Sequence, residues 1–276
     1  MIAPRLNKLF FERMNVRVRL FFFVSHMDAS ISILFRRARL IPSHARARAR
    51  ILLRSSAEHV RFDSFHFRID GRVVSGLLPR LQKVTGWSSC DPRHSRRMSS
   101  RLRSVHRSCP TWGEVHGKLV HSEIRSICES ISNLSRVSPS QMRVDPCTER
   151  FFAFLAYRSI VPIASELPVG YHTCATAVDF VGIQVPTGDL VAIEIKTNCE
   201  GEIYGPLPSD QDLCVFGLRD CPRDRHELQL AATCALMPVR PDRSYLVRLC
   251  SKARGVDWRE IKWWKNRETE ILKLLN

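Results

Sequence analysis

Ala177-Val-Asp-Phe-Val-Gly182 and Leu190-Val-Ala-Ile-Glu-Ile-Lys196 are the two stretches of sequence that decide the fold. Both are rich in residues that favour β-strands. Between them lies Pro186-Thr-Gly-Asp189, whose residues favour a tight turn. The pattern predicts a hairpin with strands over Thr176 to Val185 and Leu190 to Thr197.

The sequence on both sides of this hairpin predicts further helices and strands. Helices are expected where apolar residues recur at helical spacing, and strands where β-branched runs are bounded by turn residues. The predicted elements are, in order, helix His116 to Ile131, helix Cys147 to Tyr157, strand Ile160 to Val169, the hairpin, helix Arg225 to Met237, strand Ser244 to Cys250 and helix Trp258 to Leu275. This order predicts an α/β or α+β fold, with a mixed central sheet flanked by helices.

Each strand of the hairpin carries an acidic residue among apolar neighbours. Asp179 lies in the first strand, and Glu194 and Lys196 lie two residues apart in the second, so their side chains share one face. Charged groups in a β-branched core strand are costly unless they are paired or bind a metal. The hairpin can bring Asp179 beside Glu194, where two carboxylates repel unless a hard cation lies between them. The pattern therefore predicts a site for Mg²⁺ or Mn²⁺.

Four short motifs surround and include this pair of acids. They are, in order, Gly117-Lys-Leu-Val-His121, Ser165-Glu-Leu-Pro-Val169, Asp179 with Glu194-Ile-Lys196, and His226-Glu-Leu-Gln-Leu230. In this order they resemble the Gly-x-x-x-His helix, the Glu-containing strand, the Asp and Glu-x-Lys core and the Gln-bearing helix of the PD-(D/E)xK nuclease superfamily. The branch they resemble is the RecB-like and mitochondrial-genome-maintenance-exonuclease-like one.

The resemblance implies a restriction-endonuclease-like core and metal-dependent hydrolysis of DNA phosphodiester bonds. It implies that Asp179, Glu194 and the carbonyl of Ile195 hold Mg²⁺ or Mn²⁺, and that His121 completes the metal shell. The ion would polarise the scissile phosphate and activate a water. Lys196 would orient that water and stabilise the charge that develops on the phosphate.

The remaining motif residues are expected to bind the substrate. Glu166 and Gln229 are the candidates; a solvent-facing strand acid and a partly exposed helix residue are the alternative interpretations. The family has a tyrosine four residues after the glutamine, but Thr233 stands there, so the aromatic residue that helps to hold the substrate strand is missing or supplied elsewhere. The branch favours an exonuclease acting on single-stranded DNA ends in DNA maintenance or repair. The alternatives are an inactive nucleic-acid-binding protein on the same fold and a restriction-like endonuclease.

Positive charge is concentrated in the N-terminal part of the chain. The 276 residues carry a net charge of +16. Residues 1–112 hold 23 basic and 6 acidic side chains, whereas residues 113–276 hold 20 and 21. Such an excess suits a polyanionic partner such as nucleic acid or an anionic membrane, and it equally suits a cleaved targeting segment.

Composition divides the chain into three regions. Residues 1–60 are Arg-rich and acid-poor, as in an organellar transit peptide; the alternatives are a disordered basic arm or sequence upstream of a start at Met14 or Met27. Residues 61–112 are interpreted as a basic, Ser/Arg-rich connecting region, and residues 113–276 as the nuclease-like domain. The transit-like segment and the resemblance together favour the mitochondrial matrix, with the nucleus or cytoplasm as alternatives.

The cysteine and hydropathy patterns exclude several classes of protein. The ten cysteines include no Cys-x-x-Cys pair, so neither a zinc ribbon nor an iron–sulfur cluster is expected. They are interpreted as reduced thiols of an intracellular protein. The longest strongly apolar run near the start, Leu20 to Val24, is far too short to cross a bilayer, so no transmembrane helix is expected.

Overall fold

A mixed sheet of eight strands forms the centre of the fold. The computed structural model describes residues 29–63, 66–85, 112–132, 144–198, 215–218, 222–250 and 256–276. The strands are β1 (Val60–Asp63), β2 (His66–Ile69), β3 (Arg72–Gly76), β4 (Ile160–Tyr171), β5 (Cys174–Gln184), β6 (Asp189–Asn198), β7 (Arg243–Cys250) and β8 (Val256–Glu260). Their order is β1-β2-β3-β5-β6-β7-β8, and β4 pairs with β5.

Helices cover both faces of this sheet, which confirms the predicted mixed sheet with flanking helices. The helices are α1 (residues 29–38), α2 (Ser43–His59), α3 (Leu77–Thr85), α4 (Trp112–Ser132), α5 (Pro146–Arg158), α6 (Pro222–Leu236) and α7 (Glu268–Leu275). Successive side chains of β6 point to opposite faces. Leu190 and Ala192 join a core with α6 and α7, whereas Val191 and Ile193 join a core with α4 and α5.

The predicted hairpin is present as β5 and β6, which pair antiparallel. The other elements predicted between residues 116 and 250 are also present, with ends that differ by up to four residues. β6 pairs parallel with β7, whereas β7 pairs antiparallel with β8. The sheet is therefore mixed because α6 crosses over between β6 and β7.

The prediction of a closing helix from Trp258 to Leu275 is wrong for the first part of that range. That part forms β8 and a 3₁₀ helix, Trp263–Arg267, and only α7 is α-helical. β8 supplies hydrogen-bond partners for the backbone groups on the outer edge of β7. This pairing outweighs the preference for a helix that the spacing of the apolar residues indicates. Trp264 is buried and donates a hydrogen bond to the Ser244 hydroxyl, so this tryptophan is a core residue.

Residues 29–63 and 66–85 belong to the folded part, which corrects its expected start at residue 113. Leu52 of α2 and both Leu77 and Leu81 of α3 are buried in the same core as α6 and α7. β3 extends the sheet through parallel pairs with the start of β5. The N-terminal part thus supplies three strands and at least two helices that pack on the sheet.

The arginine-rich sequence of α2 conceals an amphipathic helix. Arg46, Arg50 and Arg54, spaced four residues apart, are exposed on one side. The buried side is formed by Ala45, Ala49, Leu52 and Ser56. Because most residues on the buried side are small, the helix contains few large apolar side chains. Its composition alone therefore indicates a targeting segment. A cleaved segment that ended near residue 60 would remove this helix from the core.

The targeting and linker predictions also concern residues 1–28 and 86–111, which lie outside the described residues. They remain predictions there. In the part of the chain that the structure covers, no helix combines the length and the apolarity needed to cross a bilayer. Four cysteines in that part are buried and form no disulfide bond, namely Cys128, Cys147, Cys174 and Cys234.

Candidate active site

The candidate active site lies where β5 and β6 separate. The ladder between the two strands ends at the pair formed by Phe180 and Ile193. Asp179 is the next residue of β5, and its carboxylate accepts a hydrogen bond of 2.7 Å from the backbone N–H of Ile195. A side chain therefore continues the contact where the backbone pairing stops. Asp179 is held beside the Glu194-Ile195 segment, as the predicted hairpin requires.

Glu194 and Lys196 form an ion pair on the face of β6 that α6 covers. Lys196 Nζ donates to Glu194 Oε1 over 2.5 Å, as their spacing in the strand predicts. Gln229 of α6 donates its Nε2 to the same oxygen over 2.5 Å, and its Oε1 accepts from Lys196 over 3.2 Å. Glu194 is buried. A buried carboxylate needs such partners, so Gln229 fixes the geometry of the pair.

His121 and Glu166 complete the site from α4 and β4. His121 Nδ1 lies 2.8 Å from Glu166 Oε1. Glu166 lies in β4 opposite Asp179, since Ser165 pairs with Phe180 and Leu167 with Val178. The potential ligand atoms of His121, Glu166 and Asp179 all lie within 4.8 Å of one another. These three residues come from three elements and form the candidate metal centre.

Glu166 adopts a backbone conformation that is unusual for a strand residue. Its φ angle is +53°, in the left-handed region that non-glycine residues rarely occupy. Such strain costs on the order of 1–3 kcal/mol and is found preferentially at functional sites. The hydroxyl of the preceding Ser165 donates to the carbonyl oxygen of Asp179, which anchors β4 to β5 at this point. The strained conformation directs the Glu166 carboxylate to His121.

Gly117 explains how α4 comes close enough to deliver His121. A Cβ atom at Gly117 would lie 2.9 Å from the Thr197 hydroxyl oxygen, closer than side chains normally approach. Thr197 follows Lys196 in β6. The glycine of the Gly-x-x-x-His motif therefore permits close packing of the helix on β6, and His121 follows about one turn later.

The electrostatics of the site favour a cation. Burial and the charge of Glu194 raise the pKa of Asp179 to about 7, although Lys196 and His121 act in the opposite direction. Burial lowers the pKa of His121, but the hydrogen bond to Glu166 and the neighbouring carboxylates outweigh it, so the pKa is raised. The pKa of Lys196 is raised for a similar reason, because Glu194 and Asp179 outweigh burial. An added cation would relieve the crowding of acids that produces these shifts.

The structure distributes the predicted site residues over two adjoining groups. His121, Glu166 and Asp179 form the candidate metal centre, whereas Glu194, Lys196 and Gln229 form a hydrogen-bonded network beside it. Glu166, expected to bind substrate, thus lies among the potential metal ligands. Ile195 contributes its backbone N–H to Asp179, and its side chain is buried on the opposite face of the sheet.

His226 is a residue of this region to which sequence reasoning assigned no role. It lies three residues before Gln229 in α6, hence on the same side of the helix. Burial and the charges of Lys196 and Arg225 lower its pKa to about 3. Its Nδ1 atom is buried and lacks a hydrogen-bond partner within the described residues. The three-residue spacing from Gln229 is the sequence pattern that could have identified His226.

Comparisons with known proteins add little to this geometry. No protein-family model matches the chain, and no curated protein matches it. Among solved structures, the crystal structure of SSO0001 is similar over 84% of each chain, with 14% sequence identity and a TM-score of 0.33. A TM-score this low does not establish a common fold, so the site is interpreted from its own residues.

Proposed function

We propose that the protein is a metal-dependent DNA nuclease with a restriction-endonuclease-like core. The observation that carries the proposal is the convergence of His121, Glu166 and Asp179 within 4.8 Å, directly beside a buried pair of Glu194 and Lys196. Hydrolysis of a phosphodiester requires that the negative charge of the phosphate is bound and that the scissile bond is polarised. A group of acids that can hold a cation, next to a protonated lysine, suits both requirements.

The donor atoms of the candidate metal centre fit Mg²⁺ or Mn²⁺. Asp179 and Glu166 supply carboxylate oxygens, which hard divalent cations prefer, and the His121 imidazole suits Mn²⁺ better than Mg²⁺. A bound ion would polarise the scissile phosphate and favour deprotonation of the attacking water. The pKa of Asp179 near 7 means that ion binding would release a proton in acidic and neutral solution.

Lys196 is the residue proposed to stabilise charge on the phosphate. Its raised pKa keeps the ammonium charged. Its hydrogen bonds to Glu194 and Gln229 restrict the position of Nζ, and this restriction lowers the cost of orienting the group during the reaction. Glu194 acts first as the partner that fixes the lysine, and the resemblance additionally implies a metal contact for it.

The exonuclease mode, the preference for single-stranded ends and the mitochondrial matrix form a second layer of the proposal. All three follow from the resemblance and the arginine-rich N-terminal part. The exposed Arg46, Arg50 and Arg54 of α2 are consistent with attraction of a polyanion, which is a sequence-independent electrostatic effect. The inactive binding protein and the restriction-like endonuclease are the outcomes against which these expectations are tested.

The proposal is tested by cleavage of labelled DNA with the full-length chain, because α2 and α3 contribute Leu52, Leu77 and Leu81 to the core. Linear single-stranded, linear duplex and circular DNA are incubated with Mg²⁺, Mn²⁺ or EDTA. Asp179→Ala is compared with Asp257→Ala, which removes an exposed aspartate of β8. We expect metal-dependent loss of linear DNA with wild type and Asp257→Ala but not with Asp179→Ala.

Each other outcome changes a particular part of the proposal. Cleavage of circular DNA would replace the exonuclease with the endonuclease. Tight DNA binding without cleavage under any metal condition would indicate the inactive binding protein. Equal cleavage by Asp179→Ala and wild type would remove the candidate metal centre from the mechanism.

A further inference from the structure

We propose a second metal site, for Zn²⁺, between α4 and α5, formed by His116, Asp145 and Cys147. The potential ligand atoms of these three residues lie within 4.8 Å of one another. His116 Nε2 is 3.0 Å from Asp145 Oδ2. His116 and Cys147 are buried, and the Asp145 side chain is only 15% exposed. The site joins two helices that pack on the same face of the sheet.

Asp145 is held in place by contacts that leave one of its oxygens directed at His116. It is the N-cap of α5, and Oδ1 accepts a hydrogen bond of 2.7 Å from the Cys147 N–H. Oδ2 is the atom that faces His116. Carboxylates that bind metals typically have this arrangement, with one oxygen on the ion and the other on a hydrogen-bond donor.

Glu123 of α4 also holds this segment through hydrogen bonds. Its Oε2 accepts from the Asp145 N–H over 2.9 Å and from the Thr148 hydroxyl over 2.6 Å. Pro146 stands between the two ligand positions and restricts the backbone there. Asp145 and Cys147 are therefore held at a fixed separation by groups outside the ligand set, which is the support that a metal site requires.

The donor set points to zinc. A thiolate, an imidazole and a carboxylate are the three protein ligand types of Zn²⁺, whereas Mg²⁺ and Ca²⁺ prefer oxygen alone. In a tetrahedral zinc site, neighbouring ligand atoms are about 3.3–3.8 Å apart. The 3.0 Å between His116 Nε2 and Asp145 Oδ2 and the 4.8 Å upper limit for the three ligand atoms bracket this range. Cys147 lies in the first turn of α5, where the helix dipole stabilises a thiolate. Zinc binding would release the thiol proton to solvent and form the Zn–S bond.

This zinc site is separate from the candidate active site in both position and chemistry. His116 and His121 are five residues apart in α4, which places them about 140° apart around the helix. His121 lies with the carboxylates of Glu166 and Asp179, whereas His116 lies with a carboxylate and a thiol. The zinc proposal therefore does not depend on nuclease activity, and either proposal can fail without the other.

The test uses Co²⁺, which replaces Zn²⁺ and has visible absorption bands together with a near-ultraviolet sulfur-to-cobalt charge-transfer band. The full-length chain, first stripped with a chelator, is titrated with Co²⁺ and then with Zn²⁺. Cys147→Ser is compared with Cys128→Ser, which changes another buried cysteine of the same core. We expect the charge-transfer band in wild type and Cys128→Ser, its absence in Cys147→Ser, and its loss when Zn²⁺ displaces Co²⁺.

Asp145→Asn provides a second variant that preserves the fold. Asparagine is as good an N-cap as aspartate, so α5 keeps its cap while the site loses an anionic ligand. We expect the Co²⁺ affinity of this variant to fall at least about tenfold. Zinc should raise the melting temperature of wild type by more than that of Cys147→Ser, in which only the candidate metal centre at His121, Glu166 and Asp179 can bind the ion.

Two results would overturn the zinc site. One is the absence of a sulfur-to-cobalt band from the wild-type protein, which would mean that Asp145 and His116 form a hydrogen bond without an ion. The other is an equal band in wild type and Cys147→Ser, which would assign the thiolate ligand to another cysteine. The band reports sulfur ligation only, so metal bound at His121 and Asp179 does not affect either conclusion.

Discussion

The tripeptide Glu-Ile-Lys occurs twice in the chain, at residues 194–196 in β6 and at residues 260–262, where β8 ends. In the first copy the glutamate is 2% exposed, the lysine 24%, and the two are 2.5 Å apart. In the second copy the values are 20%, 72% and 3.2 Å. The same three residues thus form a buried ion pair in one place and a surface ion pair in the other.

The two copies of the tripeptide also differ in the groups that lie beside them. Beside the first lie Asp179 and the other members of the candidate metal centre. Beside the second is a pocket whose charged groups already have partners of their own: Arg243 pairs with Asp189, and Lys265 donates to the Asp242 carbonyl. Within the described residues, the clusters of potential metal ligands include neither Glu194 nor Glu260, but one cluster is hydrogen-bonded to the first copy through Asp179 and the Ile195 N–H. The tripeptide alone therefore does not define a catalytic site.

The largest expected difference between the copies is in catalysis. We expect Lys196→Ala to lower the DNA cleavage rate by at least about 10²–10³-fold, because it removes a fixed positive charge from the site where phosphate charge would develop. Lys262→Ala removes the lysine of the other copy and should leave the rate within about twofold. Initial rates with saturating Mg²⁺ or Mn²⁺ measure both effects, and circular dichroism verifies that the variants are folded. Equal rates for the two variants would contradict the proposed role of Lys196.

The same two variants should also differ in stability. Removing one partner of a buried ion pair costs about 3–5 kcal/mol, because the remaining charge is left buried. We therefore expect Lys196→Ala to lower the free energy of unfolding by about 3 kcal/mol, since Gln229 still donates to Glu194. For the exposed Lys262 the change should be below about 1 kcal/mol. Urea denaturation in EDTA measures the difference, and a similar loss in both would mean that burial is not decisive.

Sequence patterns predicted the buried copy but did not identify its full environment. The spacing of Glu194 and Lys196 and the turn before them were sufficient to predict a shared face in a hairpin. The position of Glu166 opposite Asp179 depends on how β4 pairs with β5, which no local pattern determines. The packing of α2 was missed for a different reason: its buried side consists mainly of small residues, so the exposed arginines dominate the composition.

The pH dependence of stability gives a third contrast, between a partly buried and an exposed aspartate. Burial raises the pKa of Asp179 from 3.8 to about 7, so the folded protein retains a proton that the unfolded chain loses. The stabilising contribution of this group is therefore complete below pH 3.8 and is lost as the pH rises through 7. We expect Asp179→Asn in EDTA to be more stable than wild type at about pH 8, by several degrees in melting temperature, and to show a smaller difference at about pH 4.

Asp257→Asn is the matched control for this measurement, because Asp257 is 64% exposed in β8. Its melting temperature should follow that of wild type at both pH values. In Asp179→Asn the new amide oxygen can still accept the Ile195 N–H, so the comparison changes charge and leaves the hydrogen bond in place. Stability of Asp179→Asn that is unchanged relative to wild type at both pH values would mean that Asp179 is not destabilised by burial.

The smallest expected effect concerns how closely α4 approaches the buried copy. In Gly117→Ala the new Cβ would lie 2.9 Å from the Thr197 hydroxyl oxygen, so something must shift, and we expect α4 to move outward because the β-branched Thr197 side chain is stiff. His121 moves with the helix, and we expect a fall of a few-fold in cleavage rate, most evident at limiting Mn²⁺ concentration. Thr197→Ala removes the obstructing oxygen. The double variant should therefore be more active than the combined losses of the two single variants predict. Strictly additive effects would show that the glycine is not required for the approach of His121 to β6.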